Sequence, residues 1–293
     1  VLYVISQVLN AIDRPWTAAG LAFVGVLLNV PLNWVLVWGI GGWGGLGLVG
    51  AGLASLIAEA VAVAAGLVWF ARRGWFGPRA AEPGLARRMA RQGAPMGLGY
   101  AGEGGAWAVV GLVLGLFGAT ALAAHQIVGA VGGVLYMLPM GMAAAVTIRT
   151  GQVLGAGEAA RLRPILGAAL AVVSSLNLAV TLGLLVFGGA VAAAFSHDPA
   201  VVGLAAAMFV AVALIQVADG IQSSSLGALR GLRDVDWPTG FTLACYWLFA
   251  LPLAVALGLG AGLGPVGVWA GYGLGIVLAA VVLPWRFWRR TQR

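Results

Sequence analysis

The chain has 293 residues, 61% of them apolar and only 9% charged, with a mean hydropathy of +1.00. A soluble domain carries about 25% charged residues to keep its surface wetted, so a soluble enzyme, a nucleic-acid binder and a disordered chain are all excluded. The formal charge is +7, every one of the 16 basic residues is arginine, and the single cysteine, Cys245, lies in an apolar run that offers no disulfide framework or thiol metal site.

Crossing about 30 Å of hydrocarbon takes roughly 20 apolar residues in a helix. Val1–Ile12 is apolar but too short, and reads as the end of a helix whose start is missing. Eight full spans follow, near 16–38, 46–71, 95–117, 121–147, 164–187, 200–227, 239–257 and 266–285. The fold class is therefore an all-α integral membrane protein, a polytopic helix bundle. Neither a signal-peptide pattern nor a nucleotide-binding, HExxH or GxSxG motif is present, which argues against a primary pump and against an enzyme.

Arginines occupy alternate connections. Arg14 follows the first partial helix, and Arg72, Arg73, Arg79, Arg87, Arg88 and Arg91 fill the 72–94 segment. Arg149, Arg161 and Arg163 follow the fourth span, Arg230 and Arg233 the sixth, and Arg286, Arg289, Arg290 and Arg293 the eighth. The intervening connections hold none. Such alternation places the arginine-bearing side, with the C-terminus, in the cytoplasm. Arginines that bound nucleic acid would not alternate.

Leu9–Thr17 (LNAIDRPWT) is echoed by Leu229–Thr239 (LRGLRDVDWPT), Val30-Pro31-Leu32 by Leu251-Pro252-Leu253, and Leu46–Gly50 by Leu263–Gly267. The offsets at Pro15, Pro31 and Gly50 are 223, 221 and 217 residues, in one order and one direction. This is a parallel repeat, which pairs lobes about an axis along the membrane normal. It predicts a parent of two six-helix lobes. Residues 1–71 are the remnant of the first lobe, 72–94 a cytoplasmic connection, 95–288 a complete second lobe and 289–293 a tail. Two lobes with a cleft between them make a transporter architecture.

Three carboxylates fall inside spans: Glu59, Glu103 and Asp219. Their nearest flanking arginines, Arg72, Arg91 and Arg230, are 11 to 13 residues away, or about 16–20 Å along a helix. Ionisable groups at such depth are functional candidates. No basic residue shares a span with them, so each is expected to be protonated, to bind a cation or to face a wet cavity. Gln216, Asp219, Ser223 and Gly227 share one helical face and form a polar stripe. Glu103 sits among Gly97, Gly99, Gly102, Gly104 and Gly105, beside Tyr100 and Trp107. Glu59 shares a face with Gly52, Ser55 and Gly66, which reads as a packed seam. A protonated carboxyl bonded between helices is the alternative for all three, and the preferred one for Glu59. Pro31, Pro139 and Pro252 interrupt spans, Asp198-Pro199 reads as a helix cap, and His125 as a helix-end residue.

Several segments resemble the multidrug and toxic compound extrusion (MATE) family. They are Leu28–Trp34 (LNVPLNW), Ala119–Met142 (ATALAAHQIVGAVGGVLYMLPMGM), Ala145–Gly157 (AVTIRTGQVLGAG) and Gln216–Asp234 (QVADGIQSSSLGALRGLRD). The likeness covers nearly the whole chain, from that family's fourth helix to its twelfth. It implies a bacterial inner-membrane antiporter that exports amphipathic organic cations in exchange for H+ or Na+. It implies no cofactor and no obligatory protein partner, only small organic cations and membrane lipid. Glu103 and Asp219 lie where the family's second-lobe cation-binding acids lie, making them the site of any bound Na+. Gln126 lies in the AHQ segment, associated with the ion or substrate path, with Gln216, Ser223, Tyr100 and Glu59 as weaker path candidates. The further acid that some sodium-coupled members carry in the last helix has no counterpart in Gly267–Leu283. A lipid-linked sugar flippase of the same superfamily is the alternative function, but it calls for cavity arginines and no arginine lies mid-span.

Overall fold

The computed structural model describes residues 1–41, 43–75 and 83–292. All regular structure among them is helical. Packing divides the chain into two compact units, Val1–Pro83 and Gly84–Arg293.

In the first unit, α1 (Leu2–Ala11), α2 (Pro15–Asn33) and α3 (Gly47–Arg72) pack together, and α2 runs into a π-helical stretch at Trp34–Trp38. The buried face of α3 repeats every fourth residue, through Gly50, Ala54, Ala58, Ala62, Gly66 and Phe70. Small side chains let α2 approach closely: Gly25 faces the Ala62 side chain, and Gly66 faces Ile5 and Leu21. Glu59, one residue round the helix from Ala58, is exposed, as are Gly52 and Ser55. The expectation that Glu59 lies in a packed seam is therefore corrected. Alanine and glycine at four-residue spacing make the closest approach, and that stripe excludes the glutamate.

The second unit contains α4 (Leu85–Gly115), α5 (Ala119–Leu135), α6 (Met137–Gly155), α7 (Leu162–Ala193), α8 (Pro199–Gly231), α9 (Asp236–Ala244), α10 (Leu251–Val255) and α11 (Gly264–Arg290). π-Helical stretches at Cys245–Ala250 and Ala256–Gly260 join α9, α10 and the loop before α11 into one rod. Seven described helices are long and apolar enough to cross a membrane, counting α5 with α6 as one 37-residue rod. The remaining expected span, 95–117, lies in α4, which is 31 residues long and more polar, because it carries Glu103, the glycine cluster and three arginines.

Pro31, Pro139 and Pro252 each leave a mark, since proline removes an N–H and its ring presses on the carbonyl four residues earlier. The α5–α6 rod breaks at Tyr136, three residues before Pro139, and π-helical stretches follow both Pro31 and Pro252. Asp198 caps α8 as expected, its carboxylate accepting from the Ala200 N–H at 2.9 Å ahead of Pro199.

The repeated segments also fold alike. Asp13 and Arg233, at matched positions, are the two described non-glycine residues with positive φ, each +61°. Behind them the Arg14 N–H donates to the Leu9 carbonyl at 2.8 Å and the Asp234 N–H to the Leu229 carbonyl at 3.0 Å. Both are six-to-one bonds that close a helix C-terminus through a left-handed residue.

Helix α8 is the hub of the second unit, packed by α5, α6, α7 and α11. Its approach to α6 depends on Gly227, where any Cβ would collide with the Ala143 backbone. Thr147 reinforces the crossing by donating to the Gly227 carbonyl at 2.9 Å. On the other side, Gly271 of α11 lies flush against the backbone at Leu253 and Ala254.

Candidate functional site

A cavity of about 480 Å³ lies inside the second unit, within the size range of small-molecule sites. Four rods each contribute one face at helical spacing. Helix α4 supplies Tyr100, Glu103, Gly104 and Trp107; the α5–α6 rod supplies Val128, Gly129, Gly132, Gly133, Tyr136 and Met140. Helix α8 supplies Val212, Ile215, Gln216 and Asp219, and α11 supplies Trp269, Tyr272 and Ile276.

Glycine on α5 leaves the room, and aromatic rings on α4 and α11 form the walls. The Trp107 and Trp269 rings meet edge to face with centroids 5.2 Å apart, and Trp269 meets Tyr272 the same way at 6.5 Å. Such aromatic faces attract cations as well as apolar groups.

The two carboxylates expected to act together, Glu103 and Asp219, face this one cavity. Glu103 accepts a hydrogen bond from the Tyr136 hydroxyl at 3.2 Å. Helix α8 is held beneath Asp219 by α7: Asn177 donates to the Gln216 carbonyl and Thr181 to the Ala213 carbonyl, each at 2.8 Å. Gly220 lets the Asn177 amide lie against the α8 backbone. Opposite, α4 is fixed by Trp247, whose indole N–H donates to the Gly102 carbonyl at 3.1 Å, while Gly105 accepts the Trp247 ring. Gly99, Gly102 and Gly105 of the glycine cluster thus serve close packing against the rod that carries Trp247.

Of the weaker candidates, Tyr100 and Gln216 line the cavity, and Ser223 and Gln126 do not. Ser223 is half-buried one turn beyond the lining. Gln126 is exposed, whereas its neighbour His125 is buried at 4% exposure, its ring 5.4 Å from Trp107 and 5.7 Å from Trp269. The helix-end reading of His125 is corrected: the rotation of α5 sends 125, not 126, behind the aromatic wall. A cation from beyond the expected spans does come near Glu103. Arg230 reaches across from α8 to donate to the Tyr100 hydroxyl at 3.1 Å, one turn from Glu103.

Tyr136, Trp269, Tyr272 and Arg230 were not singled out from the sequence. A signal for the first existed, since Gly129, Gly132, Gly133, Tyr136 and Met140 share a helical face. Arg230 carried none, because its contact joins residues 130 positions apart. Among the described residues no group of three or more His, Cys, Asp or Glu side chains could hold a metal ion.

The MatE family model matches residues 95–256, more than half of the chain. The chain belongs to the MatE family. The match includes Glu103, Asp219, Tyr136 and Arg230. Among curated relatives, the probable multidrug resistance protein NorM of Xanthomonas campestris pv. campestris is 38% identical over 285 residues, covering 93% of this chain and 61% of that protein. The multidrug resistance protein MdtK of Cronobacter sakazakii is 34% identical over 290 residues, covering 94% and 63%. The chain thus spans about three fifths of the length of these relatives. Among solved structures, the eukaryotic MATE transporter AtDTX14 superposes with a TM-score of 0.88 at 20% identity, covering 99% of this chain and 67% of that one. The Vibrio cholerae MATE transporter VcmN in its bent form gives a TM-score of 0.83 at 21% identity, covering 99% and 65%. These last two likenesses show the MATE fold.

Proposed function

We propose that the protein is a multidrug exporter of the bacterial inner membrane, a secondary antiporter that exchanges amphipathic organic cations for H+ or Na+. The observation that carries this reading is the pairing of Glu103 and Asp219 in one aromatic-walled cavity inside a helical lobe. Two ionised carboxylates in a low-dielectric pocket repel each other and lack hydration, so the empty site demands positive charge. A proton or sodium ion meets that demand at the carboxylates, with the Tyr136 hydroxyl and Gln216 amide as further oxygen donors. An organic cation meets it differently, placing its charge near the same acids and its apolar body against Trp107, Trp269 and Tyr272. The two occupants are therefore mutually exclusive. Ion binding from outside releases the drug, and loss of the ion to the cytoplasm restores the site. Rocking of two lobes alternates its access. No arginine is among the lining residues, so the lining offers a pyrophosphate-linked sugar two acids and no direct cationic contact.

Reconstituted vesicles test the reading. Glu103→Gln and Asp219→Asn should each abolish gradient-driven export of an organic cation such as ethidium. Membrane insertion should be unimpaired, since an amide is cheaper to bury than a carboxylate. Export at the unmodified rate by Asp219→Asn under an imposed H+ or Na+ gradient would refute the assignment.

A further inference from the structure

We propose that Arg230 is a tethered counter-cation for Glu103, which takes the carboxylate when the coupling ion leaves and yields it when the ion returns. The inference deepens the antiport reading and rests on it. Arg230 stands in the last turn of α8, yet it is not spread into solvent like the arginines that end α11. Its guanidinium carbon lies 5.1 Å from the centre of the Tyr100 ring, and one Nη donates to that hydroxyl. The group rests against α4 at Gly99, where a Cβ would meet Arg230 Nη2 at 4.0 Å and Thr239 Cγ2 at 3.1 Å. Its Nε is buried and has no hydrogen-bond partner.

An arginine has five N–H donors, and a buried unpaired donor is costly to maintain. In the same unit Arg286 spends its Nε and one Nη on Asp234, whereas Arg230 holds its Nε in reserve. Glu103, which Arg230 reaches electrostatically, lies three residues along α4 from Tyr100 and on the same face. The exchange requires the guanidinium to pivot one helical turn along α4, about 5 Å, from Tyr100 towards Glu103. The titratable and charged groups facing this path are Tyr100 and Glu103 of α4, Tyr136 between α5 and α6, Asp219 of α8 and Tyr272 of α11. The cavity lining itself holds no cation, so Arg230, at its Tyr100 edge, has no competitor there.

The device follows from charge balance. With an ion bound, Glu103 and Asp219 are satisfied and Arg230 rests on Tyr100. With the ion gone, Arg230 compensates one carboxylate and leaves a single net negative charge. That charge matches an organic monocation better than a dication, so Arg230 also sets the valence of the preferred substrate.

Equilibrium binding by the purified full protein tests the proposal, with proton uptake followed by an indicator dye and Na+ binding by radioisotope. Removing a competing cation strengthens ion binding, so Arg230→Gln should lower the half-saturating ion concentration about tenfold, modest against an unscreened ion pair. Arg230→Lys keeps the charge and should stay within about twofold of the unmodified protein. Tyr100→Phe deletes the resting partner, leaves Arg230 on Glu103 and should raise the half-saturating concentration. A merely structural Arg230–Tyr100 bond predicts instead that Arg230→Gln and Tyr100→Phe shift binding in the same direction or not at all, and either result overturns the proposal. Glu103→Gln separates the two levels. If it leaves ion binding unchanged, the antiport site itself is wrong; if it abolishes binding while Arg230→Gln has no effect, only the counter-cation role fails.

Discussion

Asp234 closes the turn between α8 and α9, and its carboxylate receives Arg286 in a two-pronged pair, Nε to Oδ2 at 2.8 Å and Nη2 to Oδ1 at 3.0 Å. Arg290 adds a third contact at 3.4 Å. The Asp234 and Arg286 side chains are only 13% and 19% exposed, against 59% for Arg290. Arg286 also lies over the Trp237 ring at 4.0 Å, and Trp237 stacks on Phe241. Removing one partner of such a pair strands a mostly buried charge, which costs 3–5 kcal/mol in enclosed sites. Partial solvent access at this end of the bundle places Asp234→Ala near the lower limit, about 3 kcal/mol. At roughly 2–4 °C per kcal/mol for a unit of this size, the apparent melting temperature in detergent should fall by about 6–12 °C. Arg290→Ala should cost less than about 1 kcal/mol, as exposed ion pairs do. The double variant Asp234→Ala/Arg286→Ala should be less damaging than the sum of its parts, because the stranded arginine is gone. A melting shift for Asp234→Ala no larger than that of Arg290→Ala would refute the buried-pair reasoning.

Gly227→Ala pushes a methyl into the Ala143 backbone and should cost about 1–3 kcal/mol. Gly203→Ala, in open space on the same helix, should be neutral or stabilise by up to about 1 kcal/mol; thermal melts of the pair compare them. Cysteines at Trp43 and Leu263 should react with an impermeant maleimide from outside intact cells, and one at Arg87 only after permeabilisation. Buried Cys245 adds little background, and external labelling at 87 would overturn the orientation. Gln126→Ala should leave stability within about 0.5 kcal/mol, whereas His125→Ala should lower the melting temperature by opening a void behind Trp107 and Trp269; the reverse order would show that α5 is rotated otherwise.

Much of the architecture was legible because the membrane is a severe solvent. Eight apolar runs, their arginine-free and arginine-bearing connections, and the repeat around Pro15/Pro238 all follow from patterns that lipid and topology impose on any chain. Glu103 and Asp219 stood out because carboxylates are rare at that depth. The residues around them did not, for a related reason. A helix apolar on every side carries no hydrophobic periodicity, so nothing in its sequence reports which face turns inward.

The rotation of each helix was decided by tertiary packing alone. Gly227 against Ala143, Gly271 against the 253–254 backbone, and the Ala54–Gly66 stripe of α3 set those rotations by close approach. Glu59 and Gln126 were turned outward as a result, and His125 and Tyr136 inward. Arg230 is the extreme case: 11 residues beyond Asp219 on α8, it reads as an interfacial charge, and only the packing of α4 against α9, which follows α8, brings it to Tyr100. Sequence alone thus determined which runs can cross the membrane and how deep along them the acids lie, because both depend on transfer from water to lipid. Which side chains share the cavity depends on van der Waals fit between helix surfaces, which exists only once the helices have met.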